Sequence, residues 1–153
     1  LISAQPSAFC VEFSYAAVAN MTSTTIRGEF EVALAPLALN HNNGPLLSRR
    51  ALDKTFRGAL DATSTGEMLA AGTAVANSAG YVAIERVVGT LEGRIGSFVL
   101  QHSSTMNRGE PTQSVTVVPD SGTDALVGLT GSMTIDRADG KHFYNFTYSL
   151  PAA

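Results

Sequence analysis

The chain has 153 residues, a formal net charge of −3, 15% charged residues, 14 glycines and one cysteine. This length suits one domain with its own hydrophobic core, and the slightly acidic balance argues against a nucleic-acid partner. The single Cys10 excludes an intramolecular disulfide and a cysteine-based metal cluster, which favours a reducing, cytoplasmic location.

No segment approaches the roughly 18 uninterrupted apolar residues of a transmembrane helix, so we expect a soluble protein with no membrane partner. Residues 1–20 lack the basic start of a secretory signal and a clear strand pattern. We interpret them as an N-terminal extension, or as a short extra strand at a sheet edge. Residues 21–153 then form a single β-barrel domain.

The first predicted strand covers residues 24–34, where apolar and polar side chains alternate. Residues 35–52 contain two prolines and the turn signal Asn42-Asn43-Gly44, and no period runs through them. We therefore expect a long connection over residues 35–52, lying across the mouth of a barrel.

Short strands separated by turn residues follow along the rest of the chain. They are predicted over residues 54–64, 66–75, 79–89, 94–104, 112–118, 131–136 and 142–150. The turns that pair them into hairpins are Ser64-Thr65-Gly66, Leu91-Glu92-Gly93 and Ala138-Asp139-Gly140.

A short helix is predicted after Pro119, because Asp120 and Ser121 are good N-caps and glycines follow at positions 128 and 131. Eight strands joined mostly by short turns predict an all-β fold, an eight-stranded antiparallel β-barrel with this one helix. A two-sheet sandwich is the competing architecture. Glycines within the predicted strands favour the barrel, since strong coiling tolerates them: Gly28, Gly58, Gly72 and Gly96.

Glu85 is the first candidate for a catalytic role. Alternation places it on the same strand face as Tyr81, and the opposite face is the more aliphatic one, with Val82, Ile84 and Val88. The sequence leaves open which face points inward. A carboxylate that lines a pocket can move protons when desolvation raises its pKa; the alternative is a structural partner of Arg86, Arg94 or a backbone amide.

Gln101 and His102 are neighbours on one strand and must point to opposite faces. The face of His102 is the more apolar, which argues that His102 points inward, either as a satisfied core histidine or as a ligand contact or base. In the last strand the aromatic face that contains Tyr144 should point inward, with His142 near the rim of the barrel.

No metal and no cofactor are predicted. The three histidines, His41, His102 and His142, show no ligand spacing such as HxH or HxxxH. Ser121 does not stand in a GxSxG nucleophile motif, and helix capping explains it.

Three stretches of the chain form a specific combination: GYVAIERVVGTLEGRIGSFVLQHSSTM, VVPDSGTDALVGLTGSM and HFYNFTYSL. Together they resemble the bacterial family catalogued as domain of unknown function 3224, over residues 21–150, with matching elements at residues 96–102 and 119–123. The resemblance implies a barrel similar to that of allene oxide cyclase and no established activity. The loop at residues 35–51 departs from the acidic loop expected in that family.

Three functions are compatible with these observations. The first is a barrel that binds a small apolar or semi-polar molecule, with Tyr81, Phe98, Gln101, His142 and Tyr144 as candidate ligand contacts. The second is a cyclase or isomerase that uses Glu85, His102 or both, an analogy based on the fold. The third is a structural or homo-oligomeric module whose barrel is filled by side chains.

Overall fold

The structure is a computed structural model that describes residues 22–40 and 46–151. Eight antiparallel strands follow one another in chain order around a closed barrel, which confirms the predicted fold class. They are β1 (Ser23–Leu37), β2 (Leu47–Arg57), β3 (Leu60–Gly72), β4 (Ala79–Leu91), β5 (Arg94–Asn107), β6 (Glu110–Val117), β7 (Thr130–Ala138) and β8 (Lys141–Ser149). The predicted helix is a single 3₁₀ turn, Asp124–Leu126. The proposed extension, residues 1–20, and the signal Asn42-Asn43-Gly44 lie outside the described residues.

Three hairpin turns share one backbone conformation. Glu92-Gly93, Arg108-Gly109 and Asp139-Gly140 each place two successive residues at positive φ, between 48° and 96°. This is the geometry of a type I′ turn, whose twist matches that of the flanking strands and which favours glycine at the second position. The hairpins β4–β5 and β7–β8 therefore turn where the sequence predicted.

The region from the end of β1 to the start of β3 differs from the prediction. β1 continues to Leu37 and β2 begins at Leu47, so much of the expected 35–52 connection is paired strand, including Pro36 opposite Arg50. The hairpin turns at Gly58, which has a φ of +111°. The connection was expected because of the prolines, yet Pro36 lies within β1. The predicted strand over residues 54–64 is likewise wrong, because it spans the turn at Gly58.

The predicted Ser64-Thr65-Gly66 turn is also wrong, because these residues lie inside β3 and pair with β4. A Cβ on Gly66 would lie 2.2 Å from the carbonyl oxygen of Ile84 and 2.6 Å from the Cα of Glu85. Glycine is therefore present for a close approach of two strands, and a turn signal does not distinguish this from a reversal of the chain.

Aromatic rings fill much of the barrel. Phe56, Phe98, Tyr144 and Phe146 are fully buried, and Phe98 stacks on Phe146 with ring centroids 5.8 Å apart. At one end, Leu126 and Leu129 from the segment between β6 and β7 join this core; we call it the plug end. The opposite end, where β1 ends and β2 begins, is called the rim end.

The segment between β6 and β7 extends the edge of β5 with side-chain hydroxyls. The β5–β6 ladder stops at Leu100 and Val117. Beyond it, the Val99 amide donates to Ser121 Oγ at 3.1 Å, and the Ser97 amide donates to Thr123 Oγ1 at 3.0 Å. Thr123, not Ser121, is the N-cap of the 3₁₀ turn, so the capping role predicted for Ser121 is wrong. The Ser121 hydroxyl instead accepts a hydrogen bond from the backbone of β5.

Candidate functional site

β4 presents its polar face to the interior. Ala83, Glu85 and Val87 are buried, whereas Val82 and Ile84 are exposed. The face of Glu85, which the sequence left open, is therefore the inner one. On β5, His102 is buried and the neighbouring Gln101 is exposed, as their opposite orientation requires.

Glu85 accepts hydrogen bonds from three side chains. Lys54 Nζ and His102 Nε2 each lie 2.6 Å from Glu85 Oε1. Ser64 Oγ donates to Glu85 Oε2 at 2.5 Å. These four residues come from β2, β3, β4 and β5, so the cluster joins four consecutive strands; we call it the buried ionic cluster.

The cluster holds Glu85 in its ionised form. Burial by itself raises the pKa of Glu85, but the hydrogen bond from His102 and the charge of Lys54 outweigh it and lower the pKa to about 2. An ionised carboxylate only accepts hydrogen bonds, so the Nε2 of His102 must carry the proton of their shared bond. Burial lowers the pKa of Lys54, against the attraction of Glu85.

Lys54 also lies over aromatic rings. Its Nζ is 5.0 Å from the centroid of Phe30 and 5.7 Å from that of Phe56, which is the range of cation–π contacts. Sequence reasoning did not select Lys54. Alternation through Leu52, Lys54 and Phe56 is the signal that could have found it. The predicted strand begins at Lys54, however, so Lys54 was not recognised as sharing the inner face with Leu52 and Phe56.

The buried ionic cluster has almost no exposed surface, and its polar atoms all have hydrogen-bond partners. Glu85 exposes none of its surface and His102 exposes 3%, and no buried side-chain nitrogen or oxygen within the described residues lacks a partner. A carboxylate with a pKa near 2 is a weak base at neutral pH. The arrangement favours the structural interpretation of Glu85, with Lys54 in place of the arginines considered from the sequence.

The other candidate contacts are spread over the barrel. Phe98 belongs to the aromatic core, and the Tyr144 hydroxyl donates to the Arg57 carbonyl and accepts from the Leu60 amide, both at 3.2 Å. His142 is half-buried near the start of β8, and its ring stacks on Phe30 at 5.1 Å. Burial lowers the pKa of His142, and the charges of Arg137 and Lys54 add to this.

His142 lines a pocket of about 310 Å³ beside β1 and β8, and Gln101 and His102 line one of about 410 Å³ along β2 to β5. Tyr81 lies at a larger cavity. It is half-buried on the inner face of β4 near the rim end, where a pocket of about 600 Å³ is formed by the ends of β2 to β5 and the start of the β1–β2 connection. The lining takes residues from both faces of the sheet, among them Leu39, Leu47, Leu69, Ala70, Tyr81 and Ser104. The sequence analysis identified only Tyr81 of this group.

Two features are absent from the part of the chain that the structure describes. Within residues 22–40 and 46–151, no group of three or more His, Cys, Asp or Glu side chains is arranged to hold a metal ion. His41 lies outside these residues. In the same part of the chain, no helix has the length and apolar character needed to cross a membrane.

Comparison with known proteins agrees on a family. A family model described as "Protein of unknown function (DUF3224)" matches residues 26–148. A crystal structure of a protein with unknown function from the DUF3224 family of Shewanella oneidensis MR-1 is 49% identical, with a TM-score of 0.82, and covers 86% of this chain and 100% of that one. No curated protein matches. The likeness to the allene oxide cyclase barrel stays a prediction.

Proposed function

The chain belongs to the DUF3224 family, and we propose that it binds a small, uncharged, largely apolar molecule at the rim end of its barrel. The proposal rests on the cavity at the ends of β2 to β5, which we call the rim pocket. Its volume of about 600 Å³ lies within the roughly 300–1,000 Å³ of small-molecule sites. The pocket wall combines aliphatic side chains with a few hydroxyl groups, which is the composition of sites that bind apolar molecules and orient them by hydrogen bonds.

The charge of the wall favours an uncharged ligand. Arg49 is the charged residue of the lining, and its guanidinium donates to both carboxylate oxygens of Glu67 at 2.8 Å and to the Ala38 carbonyl at 3.3 Å. A ligand carboxylate would have to compete with Glu67 for this bidentate pair. A neutral molecule meets no such competitor.

Tyr81 supplies a polar contact. Burial raises the pKa of its hydroxyl, so the hydroxyl remains protonated at neutral pH and can donate to a carbonyl or ether oxygen. Ser104 stands opposite Tyr81 in the β4–β5 register and adds a second hydroxyl to the wall. Its hydroxyl donates to the Thr112 carbonyl at 2.7 Å, so towards a ligand it acts as an acceptor. A ligand with one hydroxyl near one end can accept from Tyr81 and donate to Ser104.

The other two functions receive less support. A cyclase or isomerase that acts through Glu85 and His102 needs a substrate to reach groups that the barrel encloses. The filled-barrel module describes the plug end and the middle of the barrel but leaves the rim pocket without a role. The cytoplasmic location inferred from the cysteine content stays a prediction.

Binding of the uncharged fluorescent probe N-phenyl-1-naphthylamine tests the proposal. We expect a saturable rise in fluorescence with the wild type, and at least a tenfold loss of affinity in Ala70→Phe, which fills the pocket. Ala33→Phe places the same ring on the exposed outer face of β1 and serves as the matched control.

The affinities of these variants for the probe distinguish the rim pocket from other binding sites. Weaker binding in Ala70→Phe alone supports the rim pocket. Equal affinity in both variants, or no saturable binding by the wild type, contradicts it. Loss of probe binding in a folded Glu85→Gln variant, with Ala70→Phe unaffected, would place the ligand deeper in the barrel.

A further inference from the structure

The outer face of β4 and its neighbours is unusually aliphatic. Five large side chains on it expose between 45% and 69% of their surface: Leu69, Val82, Ile84, Val88 and Ile95. Elsewhere the outward positions are mostly polar, as on β7, where the exposed residues include Thr130, Ser132, Thr134 and Asp136. The inner face of β4 carries Glu85, so the strand is more apolar outside than inside.

These side chains form one surface, which we call the β4 face. Leu69 pairs with Val82 across β3 and β4, and Ile84 and Val88 continue along β4. Five half-exposed aliphatic side chains amount to on the order of 500 Å², near the upper end of the largest apolar patch of a monomer. Together with the polar residues around them, they approach the roughly 800 Å² per partner of a standard protein interface.

We propose that the β4 face binds a second copy of this chain, related by a two-fold axis that crosses β4 between Ile84 and Arg86. Rotation about an axis perpendicular to the strand and parallel to the sheet brings the face onto itself with the strand direction reversed. Val82 of one protomer then packs on Val88 of its partner, and Ile84 packs on the aliphatic stem of Arg86.

The charges on the face fit this axis. Glu67 lies directly beside Ile84 in the β3–β4 register and already pairs with Arg49 of its own protomer. The partner's Arg86, placed over Ile84, is about one strand spacing, roughly 4.8 Å, to the side of Glu67 and would be a second base beside this acid. The guanidinium of Arg86 donates to Ser97 at 3.0 Å through one nitrogen, which leaves further donors for a carboxylate. Each interface would contain this acid–base contact twice.

An axis along β4 does not fit. It would place Arg86 opposite Arg86, and two like charges in contact oppose association. A face that carried only acidic or only basic residues would favour a partner of opposite charge. The β4 face has an aliphatic centre, an acid and a base, and is therefore complementary to itself.

Sedimentation velocity over a range of concentrations tests the proposal with the full chain. We expect the wild type to dimerise and Ile84→Lys to raise the dimer dissociation constant at least 100-fold. Ser132→Lys introduces the same charge on the outer face of β7 and should leave dimerisation unchanged. The β4 face shares Leu69 and Val82 with the lining of the rim pocket, whereas Ile84 and Ser132 lie outside it. Probe binding measured on the same variants therefore separates a failure of ligand binding from a failure of dimerisation.

A change of charge tests the axis itself. Arg86→Glu should weaken the dimer by bringing a carboxylate beside the partner's Glu67, and adding Glu67→Gln should remove this repulsion without placing a second cation beside Arg49. Circular dichroism and thermal melting confirm that each variant is folded. A wild type that stays monomeric up to its solubility limit, a dimer that tolerates Ile84→Lys, or a monomer that binds lipid vesicles through Ile84 would each overturn the proposal.

Discussion

The ammonium of Lys54 and the carboxylate of Glu85 lie 2.6 Å apart inside the barrel, where their side chains expose 4% and 0% of their surface. The two residues are 31 positions apart in sequence and belong to β2 and β4, with β3 between them. Ionised groups removed from water are tolerated when they are paired and fully hydrogen-bonded. The contact therefore holds non-adjacent strands of the barrel in one arrangement.

Removing the charge of Glu85 should destabilise the fold strongly. Glu85→Gln leaves Lys54 buried without a counter-ion, and loss of one member of a buried pair costs about 3–5 kcal/mol. Urea denaturation measures this loss as a decrease in the free energy of unfolding.

Two variants serve as its controls. Glu67→Gln removes a carboxylate from an exposed pair with Arg49 and should change stability by about 1 kcal/mol or less. Replacing both partners, Lys54→Met with Glu85→Leu, should recover only part of the loss, since the ammonium is gone but Ser64 and His102 still lose their acceptor. A Glu85→Gln variant as stable as Glu67→Gln would contradict the structural role of the pair.

The stability of the fold should fall in acid through Glu85. Its pKa is about 2 in the folded barrel against an ordinary value of 4.5, so between these values the unfolded chain binds more protons than the folded one. The contribution is fully present above about pH 4.5 and is lost as the pH falls through 2, and it amounts to about 3 kcal/mol. Denaturation curves of wild type and Glu85→Gln from pH 6 to pH 2 should converge; parallel curves would show that Glu85 does not titrate as described.

Gly66 should not accept a side chain. A Cβ there would collide with the backbone of β4 at 2.2 Å, so Gly66→Ala must displace the strand that carries Glu85, at a cost of about 2 kcal/mol or more. Gly72 ends the same strand, and a Cβ there meets nothing within 4 Å. Thermal melting should show Gly72→Ala near or slightly above the wild type, and equal melting temperatures for the two variants would refute the close approach.

The hydroxyl of Ser121 should matter for the edge of β5. It accepts from the Val99 amide and donates to the Val118 carbonyl at 2.7 Å. Ser121→Ala leaves this half-buried amide without its partner, which costs about 1–2 kcal/mol. Hydrogen exchange at Val99 should accelerate in Ser121→Ala and stay unchanged in Ser132→Ala, on the exposed face of β7; unaltered exchange at Val99 would argue against the bond.

Local sequence was enough for the fold class and for several turns. Alternation over consecutive residues favours a strand in most surroundings, and two residues such as Glu92-Gly93 adopt positive φ for reasons contained in the turn itself. This is why the hairpins β4–β5 and β7–β8 were predicted correctly. At Gly66 and Pro36 the same local rules misled, because a neighbouring strand decides whether a glycine marks a turn or a contact and whether a proline can stay in a ladder.

The sequence by itself determined that β4 has one face with Glu85 and another with Val82 and Ile84, but only the tertiary structure decided which face is inside. A period of two separates the faces without orienting them, and apolar content alone would have turned β4 the wrong way. Glu85 lies inside because Lys54, Ser64 and His102, from three other strands, converge on its carboxylate. Such pairing depends on barrel closure and strand register, which bring together residues that no local pattern connects.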